Sequence, residues 1–249
     1  LQLASGWDRL PVLKRLIPSL RKRIAGVTRP YGYAVVKRHG ALFLVNFTSW
    51  ADRGITMHGV VERDQIQYLL AEIRRRQCTI FIDVGANMGI YSVFAAKETD
   101  CRTIIAFEPD PRSYDQLRAN LLINGLSERV ESRQAAVSDR DGPVPFEPGP
   151  PTHNVLSKIS DGADASHSVA AVRLDDAVSV SNQRVAVKMD IEGHERTALD
   201  GMTRLLAEND CFLQVECWEH KAADFIAAMS ARGYQLVHRI DVDHYFARA

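Results

Sequence analysis

The 249-residue sequence predicts an α/β fold, a mostly parallel, doubly wound, seven-stranded sheet that ends in an antiparallel hairpin. Three observations predict it. From residue 79 onward, short apolar runs alternate with stretches of helical periodicity. The first run, Thr79-Ile80-Phe81-Ile82-Asp83-Val84, breaks directly into the glycine turn Gly85-Ala86-Asn87-Met88-Gly89. The last two runs, Gln235–Ile240 and His244–Ala247, are separated only by Asp241-Val242-Asp243, too short for a helical crossover, so they pair antiparallel.

Residues 1–30 carry seven Lys/Arg (Arg9, Lys14, Arg15, Arg21, Lys22, Arg23 and Arg29) against Asp8 alone, with Leu10, Leu13, Leu16, Ile17 and Leu20 interleaved. That pattern reads as an amphipathic helix over residues 9–29 lying on a membrane surface or a partner, or as a solvated first helix packed on the domain. Tyr33–Val36 and Ala41–Asn46 read as a hairpin about a Lys-Arg-His-Gly turn, and Ile66, Leu69, Leu70 and Ile73 recur at helical spacing. Strand 79–84 leads to helix 88–98, and strand 103–108 to helix 112–123, which stops at Gly125; strand 129–137 follows. The stretch from Gly142 to Ser168, with Pro143, Pro145, Pro148, Pro150 and Pro151, reads as an irregular loop of the kind that forms substrate lids, with His153 and Asn154 as lid contacts. Regular structure resumes at Val169–Leu174, with Asp175 as a helix N-cap. Strand Arg184–Asp190, helix Glu195–Leu206, strand Cys211–Cys217 and a helix bearing Phe225, Ile226 and Met229 complete the alternation. The division expected is a basic helical segment plus hairpin over 1–58 and a main domain over 59–249 with a loop insertion at about 142–168.

The glycine turn carries chemistry. Gly85 permits close approach of a ligand to the backbone, and Gly89 lets the new helix pack tightly on its strand. A dinucleotide fingerprint would place glycine where Asn87 stands, and a carboxylate at the strand end, Asp83, repels phosphate and suits a cation such as the sulfonium of S-adenosylmethionine. Glu108 follows Gly85 by 23 residues at the end of Thr103-Ile104-Ile105-Ala106-Phe107. A carboxylate at that distance accepts hydrogen bonds from the two hydroxyls of a nucleoside ribose, and Pro109 then stops the strand.

Charge and cysteines bound the function. Lys+Arg and Asp+Glu both total 31, which leaves no global field to draw in nucleic acid. Cys78, Cys101, Cys211 and Cys217 form no Cys-x-x-Cys pair and read as buried thiols of a reducing, cytoplasmic compartment. No apolar run reaches the ~20 residues that span a bilayer.

Ligands of such sheets bind at the carboxyl ends of the strands. Strand four ends in Val187-Lys188-Met189-Asp190-Ile191-Glu192-Gly193-His194-Glu195, and strand five in Gln214-Val215-Glu216-Cys217-Trp218-Glu219-His220, so Asp190, Glu192 and Glu216 share a rim with Asp83 and Glu108. Lys188, inside a buried run, needs a carboxylate partner. Together, Phe81–Gly89, Ala106–Pro109, Arg173-Leu174-Asp175-Asp176 and Lys188–Glu195 resemble the motif set of the FkbM family of S-adenosylmethionine-dependent methyltransferases, over roughly residues 60–240.

The resemblance implies a Rossmann-like class I methyltransferase fold and methyl transfer, usually to a hydroxyl oxygen of a sugar, polyketide or similar natural product. It sets the methionine part of the cofactor against Asp83, Gly85 and Asn87, the ribose on Glu108, and the reactive end near Asp190 and Glu192. The family commonly has a small residue where this chain has His194, so His194 inherits no role. A hydroxyl acceptor needs a base or an acidifying cation, and Asp190, Glu192 and Glu216, with His194 or His220, could supply either; such oxygen ligands suit Mg²⁺. The plainer reading makes Glu192 and Glu195 helix-end charges and pairs Glu216 with Lys188. A catalytically inactive binding module on the same fold and a nicotinamide-dependent dehydrogenase are the competing functions.

Overall fold

Residues that alternate in facing direction along consecutive strands build two different layers in this protein, one dry and one polar. The computed structural model describes residues 32–49, 52, 54, 55, 62–150, 157–159 and 167–248, and the chain divides into two compact units, 1–61 and 62–249. The basic stretch 9–29 lies outside the described residues, as do His153 and Asn154. In the first unit β1 (Tyr33–Arg38) and β2 (Ala41–Asn46) form the expected hairpin. Its two-residue turn puts His39 at φ 43° and Gly40 at φ 80°, the left-handed pair that matches strand twist.

The second unit contains α1 (Arg63–Arg76), β3 (Ile80–Val84), α2 (Ile90–Glu98), β4 (Thr103–Phe107), α3 (Pro111–Ile123), β5 (Glu131–Arg133), β6 (Ala136–Val137), β7 (Gly142–Glu147), β8 (Lys158–Ile159) and β9 (His167–Val172). After these come α4 (Leu174–Ala177), β10 (Arg184–Met189), α5 (Glu195–Asp200), α6 (Thr203–Glu208), β11 (Asp210–Glu216), α7 (Glu219–Ser230), β12 (Tyr234–Ile240) and β13 (Asp243–Arg248). Its main sheet has seven strands in the order β12-β13-β11-β10-β3-β4-β5. The run β11-β10-β3-β4-β5 is parallel throughout, and β13 is antiparallel to both of its neighbours. The chain winds outward from β3 through β4 to β5 and then returns to β10 beside β3, so the topological switch point lies between β3 and β10.

On one face, Ile80, Ile82, Val84, Val185, Val187, Met189, Leu213 and Val215 form a continuous apolar core with Ala198, Leu199, Leu205 and Phe225 of the covering helices. The opposite face carries the intervening residues. There Asp83, Lys188 and Gln214 stand in register on three adjacent strands, all nearly inaccessible to solvent.

Four expectations need correction. The stretch 142–168 is not an irregular loop where it is described: β7, β8 and the start of β9 belong to a separate four-stranded sheet, β6-β9-β7-β8. Pro143 and Pro145 are two residues apart, so their missing N–H donors fall on the same side of β7, while Val144 and Phe146 supply its buried face. Strand 129–137 is two strands, because β5 pairs with β4 whereas β6 pairs with β9. Helix 195–206 breaks into α5 and α6 at Gly201, where a Cβ would stand 1.9 Å from the Ser138 carbonyl oxygen. Asp175 caps not its own helix but α6, accepting from the Arg204 N–H at 3.0 Å and the Leu205 N–H at 2.8 Å. All four cysteines are free and buried, as expected. Among the described residues, no helix is long and apolar enough to cross a membrane.

Candidate active site

The switch point opens into a cleft lined by Gly85, Asn87, Glu108, Asp190 and Glu192, with about 650 Å³ of empty space when the solvent at its mouth is counted. Its floor is the turn after β3. Gly85 has φ +76°, and a Cβ there would lie 1.9 Å from the Asp190 carbonyl oxygen, so only glycine lets β3 and β10 leave the sheet side by side. Asn87, a lining residue, also lies in the left-handed region, at φ 51°, and its side-chain Oδ1 is buried without a hydrogen-bond partner among the described residues. Gly89 caps α2 and packs on Leu117, since a Cβ there would approach Leu117 Cδ1 to 2.4 Å; it does not line the cleft.

Glu108 and Pro109 line the opposite wall at the end of β4. The Glu108 carboxylate accepts from the Asn87 N–H at 2.7 Å through Oε2 and from the Asp110 N–H at 2.8 Å through Oε1. One acceptor position is left on each oxygen. Burial pushes this carboxyl up to about 7, against the two N–H donors, which pull it down.

Asp83 is not on the cleft. Its side chain faces the polar layer, fully buried, where Ser92 Oγ donates to Oδ2 at 2.6 Å and Lys188 Nζ stands 3.9 Å from Oδ1. The direct contact with a cationic ligand expected of Asp83 is therefore not made from this position, because strand alternation turns it beneath α2. Lys188 Nζ donates to the Gly85 carbonyl at 2.9 Å, approaches Asp190 Oδ2 at 3.4 Å and lies 5.1 Å from the Tyr91 ring centroid. Burial alone would lower its pKa, but the Asp190, Asp83 and Glu62 carboxylates outweigh burial and hold it charged. Its partners are thus Asp83 and Asp190, not Glu216 as the plainer sequence reading had it.

Asp190 and Glu192 reach the cleft. Glu216 does not line it; one of its carboxylate oxygens lies within 4.8 Å of an Asp190 oxygen. Burial would raise Asp190, yet Lys188 and the neighbouring Glu216 carboxyl hold it low, while burial and Asp190 push Glu216 far up. Glu192 sits at φ 53° in a turn that Glu195 braces by accepting from the Gly193 N–H at 2.9 Å. Burial, Asp190 and Glu195 raise Glu192 to about 7. One carboxylate oxygen each of Asp190, Glu192 and Glu216 lies within 4.8 Å of the others, near enough for one cation. His194 Nε2 is 3.0 Å from Ser138 Oγ, and no such contact brings His220 to the cluster.

Four residues of the polar layer escaped the sequence reading. Tyr91 donates to Glu62 Oε2 at 2.9 Å, and Gln214 Nε2 donates to the Tyr91 hydroxyl at 3.0 Å and to Asp243 Oδ1 at 2.8 Å. A glutamine inside the apolar run Cys211–Val215 was the available signal for Gln214; Glu62, Tyr91 and Asp243 carry none.

The donor set fits a nucleoside cofactor of the S-adenosylmethionine kind. Two free acceptor positions on Glu108, and the Glu108, Asp190 and Glu192 carboxylates gathered along the cleft, favour ribose hydroxyls and positive charge. Residues 83–236 match the family described as "Methyltransferase FkbM domain". The hexuronic acid methyltransferase AglP of Haloferax volcanii is 30% identical over 182 residues, covering 73% of this chain and 72% of that protein. The 31-O-demethyl-FK506 methyltransferase FkbM of Streptomyces tacrolimicus is 40% identical over 75 residues, 30% of this chain and 28% of that protein. Among solved structures, methyltransferase FkbM from Methylobacillus flagellatus superposes with a TM-score of 0.50 at 19% identity, over 68% of this chain and 43% of that one, a likeness of fold.

Proposed function

The chain belongs to the FkbM family of methyltransferases, and we propose that it transfers a methyl group from S-adenosylmethionine to a hydroxyl oxygen of a sugar or related natural product. The observation that supports this reading is the cleft at the switch point, which is lined by the carboxylates Glu108, Asp190 and Glu192 together with the glycine turn at Gly85. AglP, named for a hexuronic acid, supports a glycan acceptor.

S-adenosylmethionine supplies an electrophilic methyl group on a sulfonium. In this reading Glu108 accepts from both ribose hydroxyls, and the Asn87 side chain contributes a polar contact near the glycine turn. Most of the rate in such an in-line transfer comes from holding the acceptor oxygen close and collinear. The acceptor proton goes to Asp190, which Lys188 keeps ionised, while Glu216, already protonated beside it, adds no second negative charge. Glu192, on the cleft wall, orients the acceptor hydroxyls.

The second reading places a hard cation such as Mg²⁺ among Asp190, Glu192 and Glu216, on the strength of their mutual spacing. Chelation separates the two, since a base is indifferent to EDTA. Calorimetric titration with S-adenosylhomocysteine, followed by transfer of labelled methyl to a glycan panel, tests the function. Asp190→Asn is expected to lower kcat by about 10²- to 10⁴-fold with cofactor affinity nearly unchanged. Tight cofactor binding with no transfer to any hydroxyl acceptor would support an inactive binding module instead.

A further inference from the structure

We propose that Asp110 is a positioning residue for the cofactor cleft, acting through Ser157 to hold the Ser157–Ile159 part of its lining; this rests on the cofactor reading above. That part is short. Among the described residues β8 has two, Lys158 and Ile159, paired at two ladder positions, Glu147 to Lys158 and Phe146 to Ile159. Ser157, Lys158, Ile159 and Phe146 nevertheless line the cleft. A two-residue edge strand has too few backbone bonds to fix its own place.

What fixes it is the N-terminus of α3. Ser157 Oγ donates to Asp110 Oδ2 at 2.6 Å and accepts from the Gly149 N–H at 2.8 Å. Arg112 Nη2 reaches the same Asp110 oxygen at 2.6 Å and also donates to the Gly149 carbonyl at 2.8 Å. Asp110 Oδ1 meanwhile accepts from the Arg112 N–H at 2.9 Å, capping the helix. Asp110 is fully buried, and burial alone would raise its pKa, but Arg112 and Ser157 hold it low and charged.

The same residue touches the ribose carboxylate. The Asp110 N–H donates to Glu108 Oε1 at 2.8 Å, so one residue orients Glu108 through its backbone and Ser157 through its side chain. Two separate parts of the cleft lining are thereby tied to Asp110. An ordinary helix cap would need neither Ser157 nor Gly149.

The test uses the 249-residue chain and S-adenosylhomocysteine as probe. Ser157→Ala and Asp110→Asn are each expected to weaken its binding about tenfold, the double variant no more than the worse single one, and Ser157→Thr, which keeps the hydroxyl, to restore it. Unchanged affinity in Ser157→Ala, or strictly additive losses in the double variant, overturns the proposal, the second because Ser157 would then act on the ligand by itself. Hydrogen exchange of the peptide carrying Lys158 and Ile159 reads the anchor without ligand and is expected to quicken in both single variants. Unchanged exchange also overturns it. A wild type that ignores S-adenosylhomocysteine while the exchange difference persists overturns the cofactor reading, and the positioning role falls with it although the anchor stands.

Discussion

Replacing Glu108 with Gln tests the ribose site through its pH dependence. Burial pushes the carboxyl up to about 7, and under the proposed function ribose hydroxyls donate to its ionised form, so binding is expected to take up no proton but to release one below that pH. Affinity for S-adenosylhomocysteine should therefore fall as pH drops, by about tenfold between pH 8 and pH 6. Glu108→Gln keeps the shape but turns one oxygen into a donor facing a backbone N–H, and it exchanges charge-assisted bonds for neutral ones. At pH 8 the loss should be about 1.5–3 kcal/mol, roughly 10- to 150-fold. The variant's profile should lack the Glu108 step, and the difference between the two profiles cancels any contribution from Glu192, which titrates in the same range. Folding gives a second reading with its own sign. A carboxyl raised from 4.5 to about 7 destabilises the fold fully above pH 7, and that penalty, about 3 kcal/mol, is relieved as pH falls from 7 to 4.5. Wild type should gain stability relative to Glu108→Gln over that window. Parallel affinity profiles for the two proteins between pH 6 and pH 8 would refute the reasoning.

Lys188→Met strands Asp83 and Asp190 without their cation, and urea denaturation at pH 7 should show a loss of about 3–5 kcal/mol. The gap should narrow toward acid pH as those carboxyls take up protons; a loss under about 1 kcal/mol at pH 7 would mean that the polar layer is not organised around Lys188. Gly85→Ala forces a Cβ onto the Asp190 carbonyl and should cost more than about 3 kcal/mol, whereas Gly125→Ala, at φ +69° in open space, should cost only about 1–2 kcal/mol. Equal melting temperatures for the two variants would sink the close-approach argument.

Much of the sheet was legible because apolar runs and glycine turns are local signals. The parallel strands, the final hairpin and the placing of Glu108, Asp190 and Glu192 on one rim followed from them. Misread elements failed for identifiable reasons. Pro143 and Pro145 argued against a strand until their pairing with Ala170 and Ser168 of β9 showed which edge lacks donors. Asp175 looks like a local cap, but the N–H groups it satisfies lie nearly thirty residues on, at Arg204 and Leu205.

The sequence by itself determined the strand order of chemistry: a glycine turn with room for a ligand, a ribose-type carboxylate 23 residues later, and acids at the ends of two later strands. Only the tertiary structure decided which acids reach the cleft. Facing direction and register turn Asp83 under α2 to Lys188, set Glu216 behind Asp190, and bring Ser157 across to Asp110. The physical reason is that a carboxylate's role depends on its burial and on the charge beside it, and both come from neighbours distant in the chain.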